Sequence, residues 1–369
     1  MLKYIDEFND AGAARVIASD IARMMTGRDR LTIMEVCGTH TMAIHRHGIR
    51  DLLPANLRLL SGPGCPVCVT PNGFVDRAVA LARLPDVTIA TFGDMIRVPG
   101  STSSLHREKA HGADVRAVYS SIDAVRLARQ LPGRRVVFLG VGFETTAPTV
   151  AASLREALRS GLANYFVLCA HKIIPPAMRI LSGGLVDVDG FLCPPHVSAI
   201  IGADPYDFLA TEFGKACVIT GFEPLDILEG IRMLLRQMCA GRSSVEIQYD
   251  RVVRSPGNVV AQGLLQEVFE PCDTRWRGIG MLAASGLRIR EKYAAFDAER
   301  TIPVSVEQER EPAGCICGDI ITGVQDPPSC RLFARACTPD HPVGACMVSG
   351  EGTCAAWYAG RPVPEGVDA

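Results

Sequence analysis

Aromatic residues make up only 6% of this 369-residue sequence, and its formal net charge is −2. A nearly neutral chain without basic blocks offers no electrostatic footprint for nucleic acid. No run of about 20 apolar residues is present, so no membrane span is expected. The stretch 1–25, MLKYIDEFNDAGAARVIASDIARMM, reads as an acidic amphipathic helix without the basic, apolar and small-residue order of a signal peptide. Also missing are the GKS or GKT of a phosphate-binding loop and a complete GxGxxG. There is no second CxxC to complete a zinc ribbon, and no C-x3-C-x2-C run for radical chemistry with S-adenosylmethionine. Cysteine, by contrast, is abundant, with fourteen residues. Thiols in a chain without an export signal suit the reducing cytosol, where they serve metal binding, catalysis or redox exchange. A cytoplasmic location is therefore expected.

Six of these thiols fall within forty residues of the C-terminal tail. Cys317, Cys330, Cys337 and Cys354 are separated by twelve, six and sixteen residues, with Cys315 and Cys346 among them. A packed core has no use for that density, whereas an iron–sulfur cluster needs four thiolates delivered by bendable loops. A [4Fe-4S] cluster is the expected cofactor, and spacing alone leaves open an exchange of Cys315 for Cys317.

Ahead of the tail, short apolar runs alternate with helical stretches, as in parallel sheets buried on both faces. The expected strands are LTIMEVC (31–37), LRLL (57–60), VTIAT (87–91) and VRAVY (115–119), then RVVFLG (135–140), NYFVLCA (164–170), DGFLC (189–193) and ACVIT (216–220). Two sets of four suggest two tandem, similar, Rossmann-like α/β domains facing a cleft, at 1–125 and 126–245, followed by a cluster region at 246–369. Loops after strand C-termini line the ligand crevice of such sheets, and the unusual residues lie in those loops.

Cys65 and Cys68 form a CxxC in SGPGCPVCVTP, a spacing that suits a redox dithiol better than half of a zinc site. Gly62, Pro63, Gly64 and Pro66 surround the pair more rigidly than a thioredoxin-like helix start would. Cys37 closes the first strand and His40 follows, with His45 and His47 just beyond. Cys37 reads either as a small buried hydrophobe or as a thiolate projecting into the crevice. Glu144, Thr145 and Thr146 in GVGFETT either bond a ligand or cap the next helix. His196, in CPPHVSAIIG, is placed for metal ligation or for backbone bonding. Cys169, Cys193, Cys217, Cys239 and Cys272 read as core residues.

Taken together, CGTHTMAIHRHGI, SGPGCPVCVTP, GFETTAPT, PPHVSAIIG, SPGNVVAQG and the tail ending GTCAAWY resemble the HypD family of hydrogenase maturation proteins over nearly the whole chain. The resemblance implies a [4Fe-4S] protein that works with the chaperone HypC and with HypE, the cyanide donor supplied through HypF from carbamoyl phosphate, to assemble the Fe(CN)2CO unit of [NiFe]-hydrogenases. The hydrogenase large subunit is reached indirectly, through HypC. By the same resemblance Cys37 holds the transient iron together with a HypC cysteine, and His196 faces it. Cys65 and Cys68 are the redox pair, and Cys317, Cys330, Cys337 and Cys354 the cluster ligands. Pro195 stands where the family usually has glycine.

Overall fold

The computed structural model describes residues 6–361. The N-terminal amphipathic pattern folds as α1 (Ala11–Met25), capped by Asp10, whose carboxylate accepts from the amides of Gly12 and Ala13. The first five residues of that expected helix lie outside the described residues.

All eight expected strands form: β1 (Leu31–Glu35), β2 (Leu57–Ser61), β3 (Val87–Thr91), β4 (Asp114–Ala117), β5 (Arg135–Gly140), β6 (Tyr165–Cys169), β7 (Gly190–Cys193) and β8 (Ala216–Ile219). A ninth, β9 (Val245–Ile247), and an antiparallel pair, β10 (Phe269–Trp276) and β11 (Gly280–Ile289), complete the set among the described residues. Two parallel sheets result, and the chain is α/β as expected. Their membership does not follow chain order. One sheet runs β2-β1-β7-β8-β9 and the other β4-β3-β5-β6. The expected grouping of the first four strands apart from the next four is corrected accordingly: the chain leaves the first sheet after β2, builds the second, and returns. The return is pinned by Asp189. Its carboxylate accepts from the Thr32 amide at 2.7 Å, and its own amide donates to the Thr32 carbonyl at 2.8 Å, seating β7 beside β1.

Under the first sheet, Ile33, Leu59 and Val218 pack on Ile227, Ile231 and Leu234 of the helix Pro224–Cys239. Removing each such aliphatic side chain from water contributes about 1.5–3 kcal/mol. The second sheet has its own apolar layers. A further cluster forms at the strand ends, where Met34, Val36, Phe143 and Trp276 join Cys317, Ile320 and Cys354 of the C-terminal lobe. The β10–β11 hairpin reaches both sheets. Leu287 donates to the His171 carbonyl just past β6, and Arg277 donates to the Val69 carbonyl just past β2. Of the five cysteines expected in the core, Cys193 and Cys217 are buried. Cys169 and Cys272 are half-buried and Cys239 is exposed, because it falls in the last turn of an amphipathic helix, on the face away from the sheet.

Candidate functional site

β1 ends at Glu35, and α2 (Gly38–Arg46) begins two residues after Val36, leaving Cys37 as the residue that caps it. The Cys37 amide donates to Glu35 Oε2 at 3.1 Å. Burial pushes the Cys37 thiol up to about 12, with the charge of Glu351 adding to the effect and the α2 amides of His40 and Thr39 opposing it. The group is thus a neutral thiol at neutral pH. Beneath it, burial raises Glu35 to about 7 against hydrogen bonds from the Thr41 hydroxyl and the Cys37 amide.

The CxxC lies directly alongside. The Gly38 amide donates to the Gly64 carbonyl at 3.1 Å. A Cβ on Gly64 would fall 2.3 Å from the Cys37 nitrogen and 2.4 Å from its Cα, so only glycine lets the two loops touch. Gly64→Ala is expected to cost about 2–3 kcal/mol, read as a lowered melting temperature; an unchanged melt would show that the loops part without penalty. Cys65 and Cys68 form a disulfide, and both are buried. The sequence reading set this loop apart from a thioredoxin-like helix start. The structure corrects that: Cys65 caps a short helix, α3 (Pro66–Val69), and its sulfur accepts from the Cys68 amide at 3.2 Å. Pro66 occupies the first helical position, where its fixed φ and missing amide fit.

Of the imidazoles, His40 is fully buried, and its Nε2 lies 2.9 Å from the Gly221 carbonyl and 3.2 Å from that of Thr220. It ties α2 to the loop after β8, and burial lowers it to about 4. His196 follows Pro195 at the start of the helix Pro195–Ile201 and is exposed. Its ring packs 4.2 Å from Phe222, which also packs against His40 at 5.2 Å and Tyr249 at 6.2 Å. Although the residue is exposed, the part of its ring packed on its neighbours is desolvated enough to pull His196 below the ordinary value, opposed by the Glu351 charge. Glu351 itself accepts from Thr39 Oγ1 at 2.8 Å and packs on Gly38, where a Cβ would meet its backbone oxygen at 2.5 Å. Cys37, His196, Phe222 and Glu351 therefore share one neighbourhood at the end of the first sheet.

Glu144 sits apart from the cap position of its helix. Thr146 occupies that position without a side-chain cap bond, whereas Glu144 Oε1 accepts from the Ile174 amide at 3.0 Å and Oε2 is buried without a partner. Tyr206 lies near enough to feel the charges of both Glu144 and Cys37, which, after burial and Cys193, hold its phenol above the ordinary value. Burial raises Glu144 to about 7 from 4.5. A folded-state value above the unfolded one means stability lost as pH rises from about 4.5 to 7, by at most about 3 kcal/mol. Glu144→Gln keeps the Ile174 bond and removes the charge. It is expected to raise the melting temperature at pH 8 relative to its effect at pH 5; equal effects at both would contradict this.

In the C-terminal lobe Cys317, Cys330, Cys337, Cys346 and Cys354 are buried and Cys315 is half-buried. Cys346 Sγ lies 3.0 Å from Cys354 Sγ, and Cys315 Sγ and Cys317 Sγ crowd the nearby Gly344, where a Cβ would meet them at 2.6 and 3.9 Å. Cys337 Sγ accepts from the Val343 amide at 3.3 Å. Among the described residues no three His, Cys, Asp or Glu side chains are arranged around one point as ligands to a metal ion. The donor chemistry nonetheless suits an iron–sulfur cluster: clustered, buried thiols with amide donors to sulfur. Arg277 joins this lobe to the CxxC. Its buried guanidinium donates to the carbonyls of Cys68 and Thr70, to Asn72 Oδ1 and to Glu311; the neighbouring thiols and burial hold Cys315 and Cys317 above the ordinary thiol value, and the Arg277 charge only opposes that rise.

Arg277, Phe222 and Glu351 carried no signal in the sequence, since each gains meaning only where distant segments meet. Glu35 did carry one, as an acid inside the apolar run LTIMEVC. None of the helices among the described residues is long and apolar enough to cross a membrane.

The family model HypD, described as "Hydrogenase formation hypA family", matches residues 12–361. The hydrogenase maturation factor HypD of Rhizobium leguminosarum bv. viciae is 47% identical over 98% of this chain and 96% of its own length. That of Azotobacter vinelandii is 47% identical over 97% of each chain, and that of Escherichia coli K12 is 46% identical over 91% of each. Matches of this extent, over a chain whose Cys37, CxxC and tail thiols all fold to one end of the sheets, make this chain a member of the HypD family of hydrogenase maturation factors.

Proposed function

We propose that this chain is a cytoplasmic scaffold with redox activity on which the Fe(CN)2CO unit is assembled, in a crevice at the strand ends, together with a HypC-type chaperone and HypE. The observation that carries this reading is the contact between Cys37 and the CxxC loop, enforced by Gly64. A metal-binding thiol beside a dithiol can have its iron's ligands changed and electrons delivered in one place. Cys37 would hold the iron as cargo, jointly with a cysteine of the chaperone, which then carries it to the hydrogenase large subunit. Thiolate donors suit low-spin ferrous iron carrying cyanide and carbonyl. His196 and Glu351 would border that iron, with Phe222 limiting water.

Cys317, Cys330, Cys337 and Cys354 would hold the [4Fe-4S] cluster, which supplies electrons singly when bound. Two electrons and two protons convert the Cys65–Cys68 disulfide to a dithiol. Arg277, in contact with the Cys68 carbonyl and close to Cys317, fixes the loop relative to the lobe.

Complementation of a strain lacking its own family member tests the reading. The unaltered chain is expected to restore hydrogenase activity, and Cys65→Ala or Cys68→Ala to abolish it while iron content is kept. Full activity in both variants would instead favour a plain binding module. The alternative of an iron–sulfur-dependent thiol–disulfide oxidoreductase rests on the same disulfide, but requires Cys37 to be dispensable.

A further inference from the structure

A second site lies at the opposite end of α2 from Cys37. A cavity of about 510 Å3 opens between the end of α2, the loop carrying Cys330 and Cys337, and the helix Thr353–Ala359. That volume falls in the range of small-molecule pockets. Three polar atoms of its lining, Arg50 Nε, Trp357 Nε1 and His45 Nε2, are buried without a hydrogen-bond partner. Orphaned polar atoms are rare in native interiors, and two of these, Arg50 Nε and Trp357 Nε1, are donors that call for an acceptor. The three side chains are stacked together: the Arg50 guanidinium lies 4.8 Å over the Trp357 ring, and His45 packs 4.9 Å from it.

Charge points the same way. Arg335 and Arg361 stand exposed at the rim, with Asp51 as the acidic member of the lining. Arg50 has no ion pair among the described residues, and burial lowers its pKa with only partial relief from Asp326 and Glu35. Next to Arg335, Ala334 adopts φ 55°, a left-handed conformation that is costly for alanine. Such strain clusters at ligand clamps. It is held by the Ala334 amide donating to the Cys337 carbonyl at 3.0 Å.

We propose that this cavity binds a small carboxylate with an apolar body: the carboxylate accepts from Arg50 Nε–H and the Trp357 indole N–H, while Phe333, Ile44 and Pro328 cover the apolar part. The inference stands independently of the iron-assembly reading. A bound anion would rest on the loop that carries Cys330 and Cys337, giving the cluster lobe a ligand-sensitive wall.

The probes are benzoate and inorganic phosphate, titrated into the full-length protein, purified anaerobically, and read by tryptophan fluorescence and calorimetry. The chain has two tryptophans, and Trp276 is fully buried with its indole donating to Ser285 at 2.9 Å, so a change in emission reports Trp357. Benzoate is expected to bind in the micromolar to millimolar range and more tightly than phosphate. Arg50→Gln should abolish binding. Arg335→Gln, at an exposed position that leaves folding intact, should weaken it about tenfold, or about 1.4 kcal/mol. Failure of both probes to bind, phosphate binding more tightly than benzoate, or benzoate affinity unchanged in Arg335→Gln would each overturn the proposal.

Discussion

Cys37→Ala will yield a folded, iron-containing protein that matures no hydrogenase. The side chain fills little space and its sulfur makes no cap bond, so the loss in stability should be about 1 kcal/mol. The main chain carries the local architecture: the amide bond to Glu35, the Gly38 bond to Gly64 and the Thr41 amide donating to the Cys37 carbonyl all survive. What disappears is the free Cys37 thiol, whose loop touches the CxxC loop at Gly64. Hydrogenase activity in the complemented strain should fall to background, while iron content is unchanged and the melting temperature falls by only about 1–2 °C. Wild-type hydrogenase activity in this variant would move the thiol–disulfide reductase reading to the front.

If the lobe holds the proposed cluster, removing its iron, by chelation or by Cys354→Ala, should destabilise the protein by at least about 3 kcal/mol, which corresponds to about 4 °C in melting temperature. The lobe is poor in regular structure. Between residues 303 and 361 its helical pieces are Cys317–Ile321, Pro327–Ser329, Ala345–Met347 and Thr353–Ala359, none longer than seven residues, and Phe333 to Cys337 is an isolated bridge. Segments this short are not held by propensity or by a large core, so cross-links between them carry much of the stability. The measurement is differential scanning calorimetry with parallel iron determination. An identical melt after complete loss of iron would mean that the lobe stands without a metal.

The strands were legible in the sequence because parallel β-strands buried on both faces read as short apolar runs between helical stretches. Their sheet membership was not. VTIAT in β3 and GFLC in β7 are both buried throughout, and nothing in either run says which neighbour it takes. Asp189, which decides the matter for β7, is a lone acid whose partner is 157 residues away. The β10–β11 pair was legible in principle, since FEPCDTRW buries only its two ends and is otherwise half-buried or exposed at alternate positions.

The thiol sites were legible for a different reason. Glycine and proline around cysteine mark loops that bend to present sulfur, and both the CxxC and the tail thiols came from that signal. Cys346 did not, because as a spare thiol it gains its place only from contact with Cys354 and Cys317. Glu351 and Phe222 were invisible likewise. One comes from the lobe and the other from the loop after β8, and their neighbourhood with Cys37 exists only once the chain has returned from the second sheet.

The most direct test is infrared spectroscopy of the anaerobically purified protein in complex with its HypC-type partner, in the window where metal-bound cyanide and carbonyl stretches absorb free of protein bands. The account predicts both kinds of band in the unaltered complex and their loss in Cys37→Ala with the iron–sulfur absorption retained. An iron-replete, cluster-containing complex without such bands, or bands that persist in Cys37→Ala, would contradict it.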